Sequence, residues 1–248
     1  MHNPIRPIRP VLACWAINLV TFATLALWIY RDGQFPDAAS WLKRELMSIF
    51  GAGPLVGEDA ALAARLMYLL GLSICAAISL GGVIVGLFFG GVAHRSMRAW
   101  LLATALIAAW LALFVSWPEL AWKGQTHRVS KTLPELTSTA ETLTRNWPTV
   151  DGDLPELGPF LAYPSDHPLV LMPLIQVRRN GSELGFSTIE RAASGGLRFQ
   201  LTGNETGSWL EWHPANDEPR DFVGGLLQQF SLDRFTKLGE NWYLVRYK

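Results

Sequence analysis

The chain is poor in charged residues and in cysteine. Of its 248 residues only 17% are Asp, Glu, Lys or Arg, whereas 50% are hydrophobic; soluble globular domains carry about 25% charged residues. The 21 basic and 21 acidic side chains balance, so the basic excess that favours binding to nucleic acid phosphates is missing. Two cysteines, Cys14 and Cys75, build neither a disulfide framework nor a four-cysteine zinc site. We predict no nucleic acid partner, no metal and no cofactor.

Charge is missing altogether from three long segments, residues 10–30, 66–94 and 99–118. About 20 apolar residues in a helix cross a hydrocarbon core of about 30 Å. The first segment is longer than the core of a signal peptide, and no clear cleavage site follows it, so we interpret it as an uncleaved anchor. The sequence predicts a lipid bilayer as partner and three transmembrane helices, at about 11–30, 64–93 and 98–117.

The basic residues indicate an orientation. Arg6 and Arg9 precede the first helix, and Arg95 and Arg98 lie in the short second loop without acidic neighbours. Such residues face the cytoplasm. The other loops carry more basic residues in total, which favours the reverse orientation, but long segments translocate largely regardless of charge. We predict a cytoplasmic N-terminus and an extracytoplasmic C-terminal domain. The lack of disulfides in an exported domain favours a bacterial inner membrane.

The second helix carries glycine at every fourth position, at Gly82, Gly86 and Gly90. Glycines on one face let another helix approach closely. The partner is either another helix of this chain or a helix of a different subunit. Asn18 is predicted to hydrogen-bond to a neighbouring helix. The three runs contain no intramembrane Asp, Glu, Lys or Arg, which disfavours a transport path.

Between the first two helices, residues 37–50 have apolar side chains at helical spacing and a charged opposite side. Trp41 belongs to the apolar side. We predict an amphipathic helix that lies in the membrane interface. The alternative is a contact surface for a partner protein.

Composition changes after Trp122, where the chain becomes polar and rich in turns. We therefore divide it into a membrane domain, residues 1–122, and an extracytoplasmic α+β domain, residues 123–248. Thr132 begins a short linker helix that Asn146 ends, and residues 151–168 are expected to be irregular. An apolar stripe between Phe222 and Phe230 predicts one helix on a five- or six-stranded antiparallel sheet. The predicted strands are 169–178, 184–191, 197–201, 209–213 and a hairpin over 234–247.

No arrangement of residues predicts catalysis. Ser165, Asp166 and His167 are neighbours in sequence, whereas a catalytic triad converges in space. His127, His167 and His213 lack the short spacing of metal ligands. We predict that the protein is not an enzyme. An enzyme would require one of these histidines to meet an acidic side chain in the fold.

The C-terminal domain is rich in aromatic residues. Trp209 and Trp212 differ by three positions, so in a strand they face opposite ways. One of them is expected to contact a partner or the membrane surface. With the glycine row, this predicts a non-catalytic accessory or structural subunit, or an assembly factor, bound to other membrane protein subunits. The alternative is a membrane-tethered sensor or ligand-binding module, which predicts a concave pocket in the sheet domain.

Overall fold

The computed structural model describes residues 10–48, 60–89, 96–154, 158–163, 169–174, 185–202, 207–214, 217–225 and 228–248. Their contacts divide the chain into two compact units, Met1–Ala121 and Trp122–Lys248. The first is helical. The second combines the end of a long helix with an antiparallel sheet.

The described residues form four helices: α1 (Pro10–Arg31), α2 (Phe35–Ser48), α3 (Ala60–Phe89) and α4 (Met97–Arg145). Three of them, α1, α3 and α4, are long and apolar enough to cross a membrane. The prediction that a helix ends near residue 117 and another begins near 132 is wrong, since α4 is continuous over 49 residues. The predicted end of the second helix, residues 90–93, lies outside the described residues.

Two glycines of α3, Gly82 and Gly86, face α1. A Cβ atom added at Gly82 would lie 2.6 Å from Cys14 Sγ, and one added at Gly86 would lie 2.9 Å from a methyl carbon of Val11. Both positions therefore allow α1 and α3 to approach closely. Gly90 lies outside the described residues. Of the two alternatives for this glycine row, the described part has the internal contact, between two helices of the same chain.

Asn18 joins three helices within the first unit. Its side chain is fully buried. Its Nδ2 donates to Ser79 Oγ at 2.9 Å and to the Ala76 carbonyl at 3.2 Å on α3, while Trp110 Nε1 of α4 donates to Asn18 Oδ1 at 2.7 Å. The predicted hydrogen bond to a neighbouring helix is confirmed. A buried amide that is satisfied in this way fixes the register of the helices without introducing a charge.

Aromatic and charged groups gather where α1 ends and α3 begins. Asp32 accepts hydrogen bonds from Trp28 Nε1 at 2.8 Å and from the Gln34 backbone N–H at 2.9 Å, just before α2. Arg65 forms an ion pair with Asp32 at 3.2 Å. The ring of Phe35 contacts Trp28 and Trp117 edge to face. Tryptophan side chains such as Trp28 and Trp117, which have an apolar body and an N–H, are typical of a membrane–water boundary.

In the part of the second unit that the structure describes, there are an eight-stranded antiparallel sheet and a separate two-stranded ladder. Along the sheet the strand order is β1-β2-β3-β4-β5-β6-β10-β9, and β7 pairs with β8. The predicted irregular stretch contains two of the strands, so the expected count of five or six is too low. The strands are β1 (Gly152–Leu154), β2 (Gly158–Tyr163), β3 (Leu169–Pro173), β4 (Phe186–Arg191), β5 (Leu197–Leu201), β6 (Ser208–Trp212), β7 (Phe222–Val223), β8 (Gln229–Phe230), β9 (Leu232–Lys237) and β10 (Trp242–Tyr247).

The C-terminal part of α4 covers one face of the sheet. Its buried residues are Trp122, Val129, Leu136, Ala140 and Leu143, and they pack against Leu171, Ile189, Leu197, Phe199, Leu210 and Leu244 from the strands. Two indole hydrogen bonds hold the layers together: Trp122 Nε1 donates to Thr236 Oγ1, and Trp242 Nε1 donates to Thr137 Oγ1, both at 3.0 Å. The helix on the sheet is thus α4.

The helix predicted within residues 217–230 is wrong. Phe222 and Phe230 instead lie on β7 and β8, where their rings stack with centroids 4.8 Å apart. Gly224 sits between them, and a Cβ there would lie 2.8 Å from the Phe230 ring. Glycine also lowers helix stability by about 1 kcal/mol relative to alanine. The apolar stripe therefore covers a sheet face as a short ladder.

Candidate functional site

The sheet face opposite α4 carries a row of polar side chains. The register pairs each member of the row with a residue on the next strand, from β4 through β5, β6 and β10 to β9. Because side chains on paired positions point to the same face, the row is continuous across five strands. Its members are Glu190, Arg198, Glu211, Tyr243 and Lys237.

Glu211 is the centre of this face. Its carboxylate is fully buried and contacts three partners: Arg198 Nε at 3.2 Å, His213 Nε2 at 2.7 Å and the Tyr247 hydroxyl at 2.6 Å. A buried carboxylate is stable only when charge and hydrogen bonds compensate its desolvation. We call Glu190, Arg198, Glu211, His213 and Tyr247 the polar cluster.

His213 lies just past the end of β6, between two carboxylates. Nε2 faces Glu211, and Nδ1 is 3.3 Å from Asp217 Oδ2. The backbone N–H of His213 donates to the Asn241 carbonyl at 2.8 Å, which fixes the residue against the turn before β10. A neutral imidazole has one N–H, so only the imidazolium form donates to both carboxylates.

Residues 217–221 form a segment over this face that we call the strap. Asp217 binds His213 and also pairs with Arg220 within the strap. The Tyr247 hydroxyl lies 3.3 Å from the Arg220 carbonyl, and Asp221 Oδ1 accepts a hydrogen bond from the Leu232 backbone N–H at 2.7 Å. The strap is thus attached to β9 through Asp221 and to the end of β6 through His213, and it lies beside Tyr247 of β10, whose single hydroxyl hydrogen is donated to Glu211.

The pKa values of two carboxyl groups, Glu190 and Asp217, and of the Tyr247 phenol differ from their ordinary values. Burial raises the pKa of Glu190, although a backbone hydrogen bond from Gly225 opposes the shift. Burial and the negative charge of Glu211 raise the pKa of Tyr247, so its hydroxyl stays protonated and donates. Burial opposes ionisation of Asp217, but hydrogen bonds from Arg220 and His213 outweigh it and lower the pKa of Asp217. Burial also leaves Glu190 Oε2 without a hydrogen-bond partner among the described residues.

A cleft of about 760 Å³ opens beside His213. One wall is the strap, and the floor includes Tyr243 from β10. Basic Arg220 and Lys237 and acidic Glu218 and Glu240 line the same space, so both signs of charge are offered to a ligand. The complete lining is His213, Pro214, Asp217, Glu218, Pro219, Arg220, Lys237, Glu240, Asn241 and Tyr243.

Of the two tryptophans predicted as possible contacts, Trp209 is covered by the chain itself and Trp212 is partly buried. Trp209 is 1% exposed, and its ring contacts Phe222, Phe230 and Tyr247 edge to face. Trp212 points to the opposite side and packs against the core under α4. Trp212 keeps part of its surface exposed, and a contact with a partner or the membrane surface at these residues stays a prediction. Trp41 belongs to α2, but its side chain lies outside the described part.

Of the three histidines considered at the sequence level, His213 meets acidic side chains. His127 lies on α4, whereas Ser165, Asp166 and His167 fall outside the described residues. Within the described ranges no group of three or more His, Cys, Asp or Glu side chains is placed to hold a metal ion. The polar cluster is not predictable from local pattern because Glu190, Arg198 and Tyr247 come from strands other than that of Glu211 and His213, and only the register brings them together.

Comparisons with protein-family models, with curated proteins and with solved structures find no match to this chain.

Proposed function

We propose that the protein is a membrane-tethered, non-catalytic binding module whose sheet domain takes a small polar ligand in the cleft beside His213. The cleft carries this proposal: it is concave and lies against a buried, fixed polar cluster. Binding sites typically combine such a recess with a few fixed polar groups. Because basic and acidic side chains share the lining, the ligand class we propose is a molecule with charges of both signs.

The contacts of the His213 ring support a non-catalytic role. Both ring nitrogens contact carboxylates, so neither is directed at a reacting group. A general base must be within hydrogen-bond reach of the proton it removes. Along the described ranges, no Ser, Thr or Cys side chain hydrogen-bonds to His213.

Membrane anchoring by α1, α3 and α4 is part of the proposal and is supported by their length and apolar composition. We place the chain in a bacterial inner membrane with its N-terminus in the cytoplasm. The end of α1 and residues 110–121 of α4 share one cluster of buried side chains, which supports crossing in the same direction. A C-terminal alkaline phosphatase fusion should then be active; an inactive fusion beside a fluorescent C-terminal green fluorescent protein fusion would reverse the orientation.

Ligand titration tests the binding proposal. The full chain in nanodiscs is titrated with the dipeptides Lys-Glu, Lys-Lys and Glu-Glu, and chemical shifts of Asn241 and Tyr243 are recorded. We expect the mixed-charge dipeptide to bind most tightly, and both Arg220→Ala and Lys237→Ala to weaken it. Lys131→Ala, an exposed change on α4, should leave binding unaltered. Equal or no response to all three dipeptides would contradict the proposal.

The second candidate is an accessory subunit or assembly factor of a membrane complex. Its support is a set of large apolar side chains that α4 leaves exposed, which a partner helix would cover as well as lipid does: Leu101, Leu111, Phe114 and Val115. Purification from native membranes separates the two proposals. Stoichiometric co-purifying subunits that Phe114→Ala releases and Arg220→Ala retains would favour this candidate.

A further inference from the structure

Among the described residues, two contacts tie the carboxylates of the strap to groups outside it. The Leu232 backbone N–H donates to Asp221 Oδ1 at 2.7 Å. The other contact is that between His213 and Asp217, and it depends on the protons that the imidazole carries. Histidine ordinarily changes its charge between about pH 5 and pH 8.

We propose that protonated His213 is a latch that holds the strap in place as one wall of the cleft, and that loss of this proton releases the strap. This inference rests on the proposed function only in taking the cleft as the binding site. It assigns to that site a regulation by pH in which the form with the strap in place belongs to the acidic side.

The geometry gives the direction of the switch. When His213 is neutral, its single N–H stays with Glu211, because that contact is the shorter and more deeply buried, 2.7 Å against 3.3 Å. The Nδ1 lone pair then faces the carboxylate of Asp217, and an attractive contact becomes a repulsive one. Asp217 keeps Arg220, but Arg220 belongs to the strap and does not hold it to the sheet.

The groups that surround His213 have other partners, so the contact between His213 and Asp217 depends on the protonation of the imidazole. On β6 its neighbour is Glu211, which Arg198 of β5 and Tyr247 of β10 already engage. The Tyr243 ring contacts the imidazole edge to face, with the ring centroids 5.5 Å apart. Lys237 Nζ of β9 lies 5.6 Å from the centroid of the same Tyr243 ring. The remaining charged neighbours across the cleft are Glu218, Arg220 and Glu240.

Release of the strap changes the cleft itself. Asp217, Glu218, Pro219 and Arg220 form one wall of it, so the site loses both basic and acidic groups at once. Lys237, Asn241 and Tyr243 remain on the sheet side. The proposal therefore predicts tighter binding of a mixed-charge ligand in mild acid than in mild base.

Amide hydrogen exchange of the full chain in nanodiscs tests the latch without any ligand. Protection factors are corrected for intrinsic exchange and compared between about pH 5.5 and about pH 8. In the wild type, we expect protection of the hydrogen-bonded strap amides, those of Asp217 and Glu218, to fall by about tenfold, as for loss of one charge-assisted hydrogen bond, while β5 amides stay unchanged. His213→Asn and Asp217→Asn should both give low protection at either pH. His127→Gln should behave as the wild type does.

Two results would overturn the latch. One is strap protection in the wild type that does not change with pH. The other is a pH response that persists in His213→Asn or, if that variant does not fold, in Asp217→Asn. The dipeptide titration at both pH values separates the two proposals: a strap that responds without any dipeptide binding supports the latch and contradicts the binding module, and binding beside an unresponsive strap does the reverse.

Discussion

Each compact unit of this protein is organised around one fully buried polar side chain, Asn18 in the helical unit and Glu211 in the sheet unit. Asn18 is neutral, and its partners are an alcohol, a carbonyl and an indole. Glu211 is ionisable, and its partners are a guanidinium, an imidazole and a phenol. Both join three elements of the fold, but only the second does so with groups that titrate.

The difference follows from the surroundings. Between apolar helices a charge is expensive and brings no counter-charge with it, so a neutral amide with neutral partners is the stable choice. The sheet unit supplies Arg198 and His213 on the same face, so a carboxylate is compensated there. A neutral centre is indifferent to pH, whereas a charged one couples the fold to protons. Regulation is therefore expected in the sheet unit.

The largest expected effect comes from neutralising the charged centre. Glu211→Gln leaves the buried guanidinium of Arg198 without its counter-charge and should destabilise the sheet unit by about 3 kcal/mol. Urea denaturation in mild detergent, followed by near-UV circular dichroism, measures this loss. Glu240→Gln, an exposed acid beside the same cleft, should change stability by less than about 0.5 kcal/mol. If Glu211→Gln and Glu240→Gln lowered the free energy of unfolding equally, Glu211 would not be the buried centre of the sheet unit.

The neutral centre should matter less. Asn18→Ala removes the acceptor for Trp110 and the donor to Ser79, and we expect a loss of about 1–2 kcal/mol, since hydrogen bonds between helices in membranes are individually weak. The exposed change Thr104→Val on α4 is the control and should be silent. Thermal unfolding in nanodiscs at two pH values should give the same loss at both, and a loss that varies with pH would contradict the description of Asn18 as indifferent to protons.

Glu190 is a second buried carboxyl group of the sheet unit, and unlike Glu211 it has one oxygen without a hydrogen-bond partner among the described residues. Burial raises its pKa, so the stability that accompanies the protonated form is complete below the ordinary pKa and is lost as the pH rises through the raised value. Glu190→Gln keeps an acceptor for Gly225 and cannot ionise. It should raise the melting temperature at neutral pH by a few degrees or less and have no effect below about pH 4. A variant less stable than the wild type at neutral pH would contradict this reading.

The smallest effect is expected at the strap. The pKa of Asp217 is lowered, so its contribution to stability is present above the ordinary pKa and disappears as the pH falls through the lowered value. Asp217→Asn should cost less than about 1 kcal/mol at neutral pH, because Arg220 is largely exposed. In acid the variant and the wild type should unfold alike. A difference that grows in acid would have the wrong sign.

Local signals were sufficient for the helices of the first unit. Runs without charge predict α1 and α3 because length and composition are properties of one segment. The extension of α4 was missed at Pro118, although Trp122, Val129, Leu136 and Leu143 recur every seven residues. These residues form the apolar side of a helix that packs on the sheet, and the sequence of the helix alone does not show which surface covers them.

The polar face of the sheet could not be predicted from the sequence, because it too depends on residues that are distant along the chain. Alternation within β6 puts Trp209 and Glu211 on one side, but nothing local tells which residues of β5 and β10 lie opposite. Arg198 and Tyr247 meet Glu211 across strands that are 13 and 36 residues away. The apolar residues at 222–230 fitted a helical period equally well, and the glycine pair at 224–225 was the only local sign against it.

The charged centre is tested most directly by observing the ring nitrogens of His213. Histidine labelled with ¹⁵N in the full chain, in nanodiscs at about pH 6, gives the protonation of both nitrogens, with His213→Asn providing the assignment. If the imidazolium forms the latch, Nε2 and Nδ1 both carry a hydrogen while the strap is protected, and the Nδ1 hydrogen is lost in step with the protection of the strap amides as the pH rises. A bare ring nitrogen in a chain whose strap remains fully protected would contradict the latch.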